Sequence, residues 1–373
     1  MGLEALIMPY FLPKQTYGEV EFYKFSAFFA QFLLIGAGTG YVVRFMEKYD
    51  AYMAKFKLDF ISLGLVHALA SGLLISAFYD WQAGLLAMLA VFALVIESIM
   101  KANEDYLAAM SFKPLLSVIL LALLPAFFYF EISVYSYLII SFLASFIIFT
   151  TCFALLNKDI KGNTLATSSL DSYISCIKKG FLMHLSTAVI YAFFYFDRLF
   201  LKENSPELLA DYSLSFAIMQ LTIVAITTFS YVNLVEFGKS SNDLDEMAKK
   251  IRLSLMRCFA FYMVIGSVSI IFSYFAEIFY GYEHVFETTF IMVALFGLAN
   301  VLNSLNSAHA YLKSNRIMFV LLALFFCISF SSNYWFNFEG TAGYYNLMLK
   351  TYLCFLGFSI SSSMYIFYRL KSK

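Results

Sequence analysis

From Glu19 to the C-terminus the chain alternates long apolar runs with short polar breaks. A helix needs about 20 mostly apolar residues to cross the hydrocarbon core of a bilayer. Runs of that kind predict spans at 20–43, 58–78, 82–100, 112–130, 133–156, 177–200, 209–236, 253–275, 286–311, 316–335 and 344–368. Strands of a membrane barrel would be about ten residues long with strict alternation. These runs are longer and apolar on every side, so they predict helices and an all-α polytopic membrane protein.

Composition agrees. Hydrophobic residues make up 61% of the chain and charged residues 13%, against about a quarter charged in a soluble domain. Net charge is zero, so no global field points to nucleic acid. Cys152, Cys176, Cys258, Cys327 and Cys354 lie in or beside apolar segments without CxxC spacing, and the four histidines are far apart. Neither set predicts a disulfide framework, a metal site or a cofactor. Residues 1–12 are apolar but lack a basic leader and a small-residue cleavage site. They are expected to be the outer end of a first helix.

Lysine and arginine set the expected orientation. Alternate loops hold Arg44, Lys48, Lys55, Lys57, Lys101, Lys113, Lys158, Lys161, Lys178, Lys179, Lys239, Lys249, Lys250, Arg252, Arg257, Lys313, Arg316, Arg369, Lys371 and Lys373, whereas the opposite set holds only Lys14, Lys24, Arg198 and Lys202. The rich set is read as cytoplasmic, which puts the C-terminus inside and Pro13–Glu19 outside.

An internal repeat is also visible. FLPKQTYGEVEFYKFSAFFAQ (Phe11–Gln31) aligns without a gap on FLKENSPELLADYSLSFAIMQ (Phe200–Gln220), with Phe, Leu, Tyr, Ser and Gln coinciding. The expected organisation is therefore two parallel six-helix halves: an N-terminal lobe at 1–156 holding helices 1–6 with the first partial, a polar cytoplasmic linker at 157–176, and a C-terminal lobe at 177–373 holding helices 7–12.

Four stretches resemble Wzx-type polysaccharide-biosynthesis flippases of the multidrug/oligosaccharidyl-lipid/polysaccharide exporter superfamily. They are YGEVEFYKFSAFFAQFLLIGAGTGYVVRF (Tyr17–Phe45), YFDRLFLKENSPELLADYSLSFAIMQ (Tyr195–Gln220), the polar helix Asn300–Arg316, and NFEGTAGYYNLML (Asn337–Leu349). The resemblance implies a MATE-like fold in the bacterial cytoplasmic (inner) membrane. It implies movement of an undecaprenyl-pyrophosphate-linked oligosaccharide between leaflets for O-antigen or capsule synthesis, by rocking lobes and an ion gradient. The partners would be the lipid-linked oligosaccharide, membrane lipid and polysaccharide polymerase machinery.

Such a carrier needs cations for the pyrophosphate and polar groups for the sugars, so ionisable groups within spans are the place to look. Lys350 lies in the last helix, Arg198 in the seventh, and Arg44 near the cytoplasmic face, where the resemblance also places an arginine. Snorkelling and positive-inside anchoring are their competing readings. Asn300, Asn303, Asn306 and Ser307 form a polar stripe, and Gln31 and Gln220 occupy equivalent places in the halves. They suit sugar recognition or helix–helix bonding. Asp197, Glu97, His67 and His184 are the ion-coupling candidates, with an interfacial ion pair or hydrogen-bonded packing as alternatives.

An enzyme reading, a polytopic polymerase or glycosyltransferase, lacks a nucleophile or paired-carboxylate constellation on a sizeable outer loop. A drug/cation antiporter of the same superfamily would share the architecture. Arg44, Arg198, Arg257 and Lys350 tilt the reading toward an anionic lipid.

Overall fold

The computed structural model describes residues 3–47, 51–78, 80–103, 105–109, 111–156, 167–240, 243–332 and 340–371. The described residues form helices and turns, with no strand among them. They divide into two compact units, Met1–Met8 with Glu19–Ala188, and Pro9–Gly18 with Val189–Lys373.

In chain order the helices are α1 (Leu3–Phe11), α2 (Lys14–Phe29), α3 (Ala37–Glu47), α4 (Ala51–Phe78), α5 (Trp81–Ala102), α6 (Tyr106–Ala109), α7 (Phe112–Tyr129), α8 (Val134–Leu156) and α9 (Thr167–Asn204). There follow α10 (Pro206–Lys239), α11 (Leu244–Tyr280), α12 (Val285–Ile291), α13 (Leu298–Asn303), α14 (Ala308–Tyr311), α15 (Asn315–Ser332) and α16 (Gly340–Lys371). Among the described residues, eight helices are long and apolar enough to cross a membrane, and nine if the two segments of α9, bent near residue 183, count as one span.

These helices are built inside out compared with those of a soluble protein. The buried face of α11 carries Ser254, Cys258, Tyr262, Gly266, Ser269, Ser273 and Ala276. Its exposed face carries Leu253, Met256, Val264, Val268, Ile271, Phe275 and Ile278. The buried stripe recurs every three or four residues, so it is one side of the helix. Small and hydroxylated residues let backbones approach, and the bulky apolar ones are left for lipid. In α4 and α5 the same device brings Gly72 and Gly84 together: a Cβ on either would crowd the other's carbonyl oxygen.

Three expectations change. The span expected at 20–43 is interrupted: α2 ends in a 3-10 turn, Ala30–Leu34, and Ile35 and Gly36 then take φ of 51° and 84°. Left-handed backbone is costly for a branched side chain and easy for glycine. The equivalent stretch of the second half has no such break, because α10 continues through Gln220. The span expected at 286–311 is likewise divided, by a π-turn at Met292–Gly297 and by turns at 304–307. There Asn300 Nδ2 donates to the Phe296 carbonyl at 2.8 Å and Ser304 Oγ to the Val301 carbonyl at 2.7 Å, side-chain bonds that compete with the helical ladder. Finally, the segment expected as a linker at 157–176 is helical from Thr167 onward, and the division between units falls at 188/189, within α9. Residues 157–166 lie outside the described residues.

Helix ends follow local chemistry. Asp80 caps α5 by accepting from the Ala83 N–H, and Asp243 caps α11 by accepting from the N–H groups of Asp245 and Glu246. Pro206 occupies the first position of α10, where its missing N–H costs nothing, so the loop expected at 200–209 is a tight turn at Ser205.

A candidate coupling site around Asp197

In the second unit, α9 carries Asp197 and Arg198 side by side, both almost completely buried at 3% and 1% exposure. Thr351 on α16 donates its hydroxyl to Asp197 Oδ1 at 2.9 Å. Asp197 Oδ2 is buried and accepts no hydrogen bond among the described residues. Lys350 precedes Thr351 on α16 and is half-buried. The Arg198 guanidinium rests 4.7 Å from the centre of the Phe216 ring and 5.6 Å from that of Tyr212, both on α10. Those rings adjoin Phe194, Phe296 and Tyr352, and Tyr352 donates to the Tyr212 hydroxyl at 3.1 Å. A buried ion is tolerated only with partners. Here a carboxylate, a guanidinium and three hydroxyls come together from α9, α10 and α16.

Of the residues selected from the sequence, Asp197 and Arg198 are neighbours on α9, and Lys350 is next in the chain to Thr351, the hydroxyl donor to Asp197. Thr351, Tyr212 and Tyr352 complete the site; Thr351 was detectable as the neighbour of Lys350 and Tyr212 as the tyrosine that coincides with Tyr23 in the repeat alignment, whereas Tyr352 carries no local signal. The cations named as favouring an anionic lipid are not gathered. Arg198 is sealed against aromatic rings, Arg257 is exposed on α11, and the side chain of Arg44 lies outside the described residues.

The remaining candidates have other surroundings. Asn303 Oδ1 accepts from Asn306 Nδ2 at 3.0 Å, and Asn306 Oδ1 accepts from Ser362 at 2.7 Å. Buried His309 reaches Ser362 at 2.9 Å and Ser314 at 2.7 Å, a network that the sequence reading missed although His309 directly follows the polar stripe. Gln220 is half-buried on α10.

In the first unit, His67 Nε2 lies 2.8 Å from the Leu33 carbonyl and Nδ1 lies 3.0 Å from the Tyr173 hydroxyl. His184 Nε2 lies 3.0 Å from the Phe32 carbonyl. Both histidines, expected as ion-coupling groups, therefore serve carbonyls of the 3-10 turn, where the helical ladder is broken. Gln31 in that turn donates to the Ala90 carbonyl of α5 at 3.3 Å. Glu97 pairs with Lys101 one turn on at 2.5 Å. A separate buried cluster, unforeseen, joins Lys24 to Glu4 at 3.1 Å and to Glu21. Of the four cations assigned to the outer loops, Lys24 and Arg198 are thus buried within helices, and Lys14 and Lys202 lie in the end turns of α2 and α9.

No protein-family model and no curated protein matches the chain. Its fold has clear counterparts among solved structures. It is similar to the inward-facing conformation of a multidrug resistance MATE family transporter of the MOP superfamily, with a TM-score of 0.74 and 14% identity over 100% of this chain and 96% of that one. The outward-facing conformation of such a transporter gives 0.67 and 16% over 99% and 91%. A MOP superfamily transporter from Pyrococcus furiosus, described as having a binding pocket of reverse polarity, gives 0.59 and 15% over 100% and 89%. The chain is an all-α polytopic membrane protein with the MATE-transporter fold.

Proposed function

We propose that this chain is an ion-coupled membrane exporter of the drug/cation antiporter type, with Asp197 as its coupling carboxylate. The observation that carries the reading is the state of that carboxylate. It is buried within a membrane helix, fixed through Oδ1 by Thr351, and has Oδ2 unoccupied by any donor among the described residues. Ionisable groups kept at such depth mark ion pathways. The likeness to multidrug transporters supports carriage rather than catalysis, and no enzyme reaction is proposed.

A second reading is the flippase for undecaprenyl-pyrophosphate-linked oligosaccharides, possessing Lys350 as its particular support. A half-buried ammonium beside a polar site can meet an anionic group. In either case we place the protein in the bacterial cytoplasmic membrane with its C-terminus inside, from the lysine and arginine bias. The flippase would add lipid-linked oligosaccharide and polymerase machinery as partners.

Expression in a drug-hypersensitive bacterium tests the first reading. Raised resistance to lipophilic cations with the wild type, lost with Asp197→Asn at equal protein level, is the expected result. Unchanged drug sensitivity, with lipid-linked sugar units accumulating on the cytoplasmic leaflet when the native protein is deleted, would establish the second.

A further inference from the structure

The start of α11, on the side assigned to the cytoplasm by the lysine and arginine bias, carries a cationic face. Lys249, Arg252 and Arg257 are all exposed, and none has a side-chain hydrogen bond or ion pair among the described residues. Lys250, between them in the chain, is engaged instead, with Glu246 at 2.9 Å and Glu236 at 3.7 Å. From Met247 to Ala276 the helix contains no aspartate or glutamate. The exposed acid on the same side is Asp245, one turn before Lys249 and farther from the apolar stretch. No other described helix presents three such unpaired cations on one face.

The helical register joins this charge to the apolar side of the span. Arg252, Met256, Ala260 and Val264 follow one another at intervals of four and are all exposed, opposite the buried Ile251, Ser254 and Cys258. Met256 is 70% exposed and Val264 65%, so the lane is open along its length. Arg257 lies five residues beyond Arg252, about 7.5 Å further along the axis, with exposed Leu253 and Met256 between them. A guanidinium at that depth reaches back toward the interface along its apolar stem, which draws it toward the level of Arg252. Each guanidinium can take phosphate oxygens through two parallel N–H bonds. Unpaired cations at the edge of a span attract anionic lipid headgroups. One face thus offers charge for a phosphodiester at its end and an apolar lane for acyl chains below it.

We propose that Lys249, Arg252 and Arg257 form a binding site for one anionic phospholipid, with its phosphodiester between the two arginines and its chains along Met256, Ala260 and Val264. The lipid is resident on the helix face and is not the transported compound, so the proposal is independent of what the chain exports.

The test is native mass spectrometry of the purified full chain in detergent, with phosphatidylglycerol or phosphatidylethanolamine of the same acyl chains added. Wild type is expected to retain one phosphatidylglycerol at concentrations where phosphatidylethanolamine leaves at least tenfold less adduct. The double variant Arg252→Gln/Arg257→Gln is expected to lose at least tenfold in retained phosphatidylglycerol. Met256→Glu, which leaves every cation in place but sets a carboxylate between the arginines, is expected to lose it as well. Lys178→Gln/Lys371→Gln removes the same charge from two other exposed positions and is expected to bind as wild type does. Excess glycerol phosphate, which has the anion without the chains, is expected not to displace the lipid. Equal retention of both lipids by the wild type would overturn the proposal, as would undiminished binding by the arginine variant. An equal loss in the Lys178/Lys371 variant would reduce the effect to net charge, and displacement by glycerol phosphate would reduce it to phosphate binding; either overturns the lipid site.

Discussion

Thr351 Oγ1 donates a 2.9 Å hydrogen bond to Asp197 Oδ1, joining α16 to α9 at a carboxylate that is almost wholly enclosed. A hydrogen bond to a charged group contributes about 1.5–3 kcal/mol. Thr351→Val keeps the shape and removes the donor. It is expected to slow gradient-driven export severalfold while Thr351→Ser retains most of it, with both variants assayed in vesicles at matched protein level. Equal rates for the valine variant and wild type would detach Thr351 from coupling.

Arg198 is held differently, and its substitutions should separate charge from shape. A planar guanidinium stacks on aromatic faces and an ammonium does not reproduce that contact. Desolvated cation–π contacts reach about 2 kcal/mol. Arg198→Lys is therefore expected to lower the melting temperature of the detergent-solubilised protein despite conserving charge. A melting temperature equal to that of wild type would show that the rings of Tyr212 and Phe216 contribute little.

The close approach of α3 to α9 gives a stability prediction. A Cβ on Gly40 would come within 1.7 Å of the Cys176 carbonyl oxygen, and one on Gly180 within 2.1 Å of the Gly36 oxygen. Backbone cannot yield as a flexible side chain does, so overpacking here should cost at least the usual ~1–3 kcal/mol. Gly40→Val should reduce the yield of folded protein sharply, measured by fluorescence-detected gel filtration, whereas Gly281→Ala, with open space around it, should show only the smaller strain of a positive φ.

His67 tests whether the 3-10 turn is structural. His67→Phe removes the partner of the Leu33 carbonyl and of the Tyr173 hydroxyl. An unsatisfied buried polar group costs about 1–3 kcal/mol, so thermal stability should fall, and His67→Gln should recover part of it. Unchanged stability with lost ion coupling would return His67 to the coupling role expected from the sequence.

These residues also show how much could be read in advance. Long apolar runs mark spans because lipid leaves backbone groups no partner but the helix itself, and that signal survives in α4, α5, α7, α8, α11, α15 and α16. The break after Ala30 was hidden inside the run QFLLIGAGTG, since hydropathy does not register φ. Its cause lies far along the chain, in Gly180, His67 and His184. Asp197, Arg198 and Lys350 were selected as charges that a bilayer would not tolerate alone. The assembly of Asp197 and Arg198 with Thr351, Tyr212 and Tyr352 depends on how α9, α10 and α16 pack, across separations of 140 residues and more. Glu97, by contrast, had its partner Lys101 one turn away in plain view.

The most direct test of the account is proton movement in proteoliposomes that carry an interior pH dye and the purified protein. With an outward-directed pH gradient and an external lipophilic fluorescent cation, the wild type should take up the cation while dissipating the gradient, and Asp197→Asn should do neither. A wild-type and an Asp197→Asn protein that exchange cation and protons at the same rate would contradict the assignment of Asp197 as the coupling carboxylate.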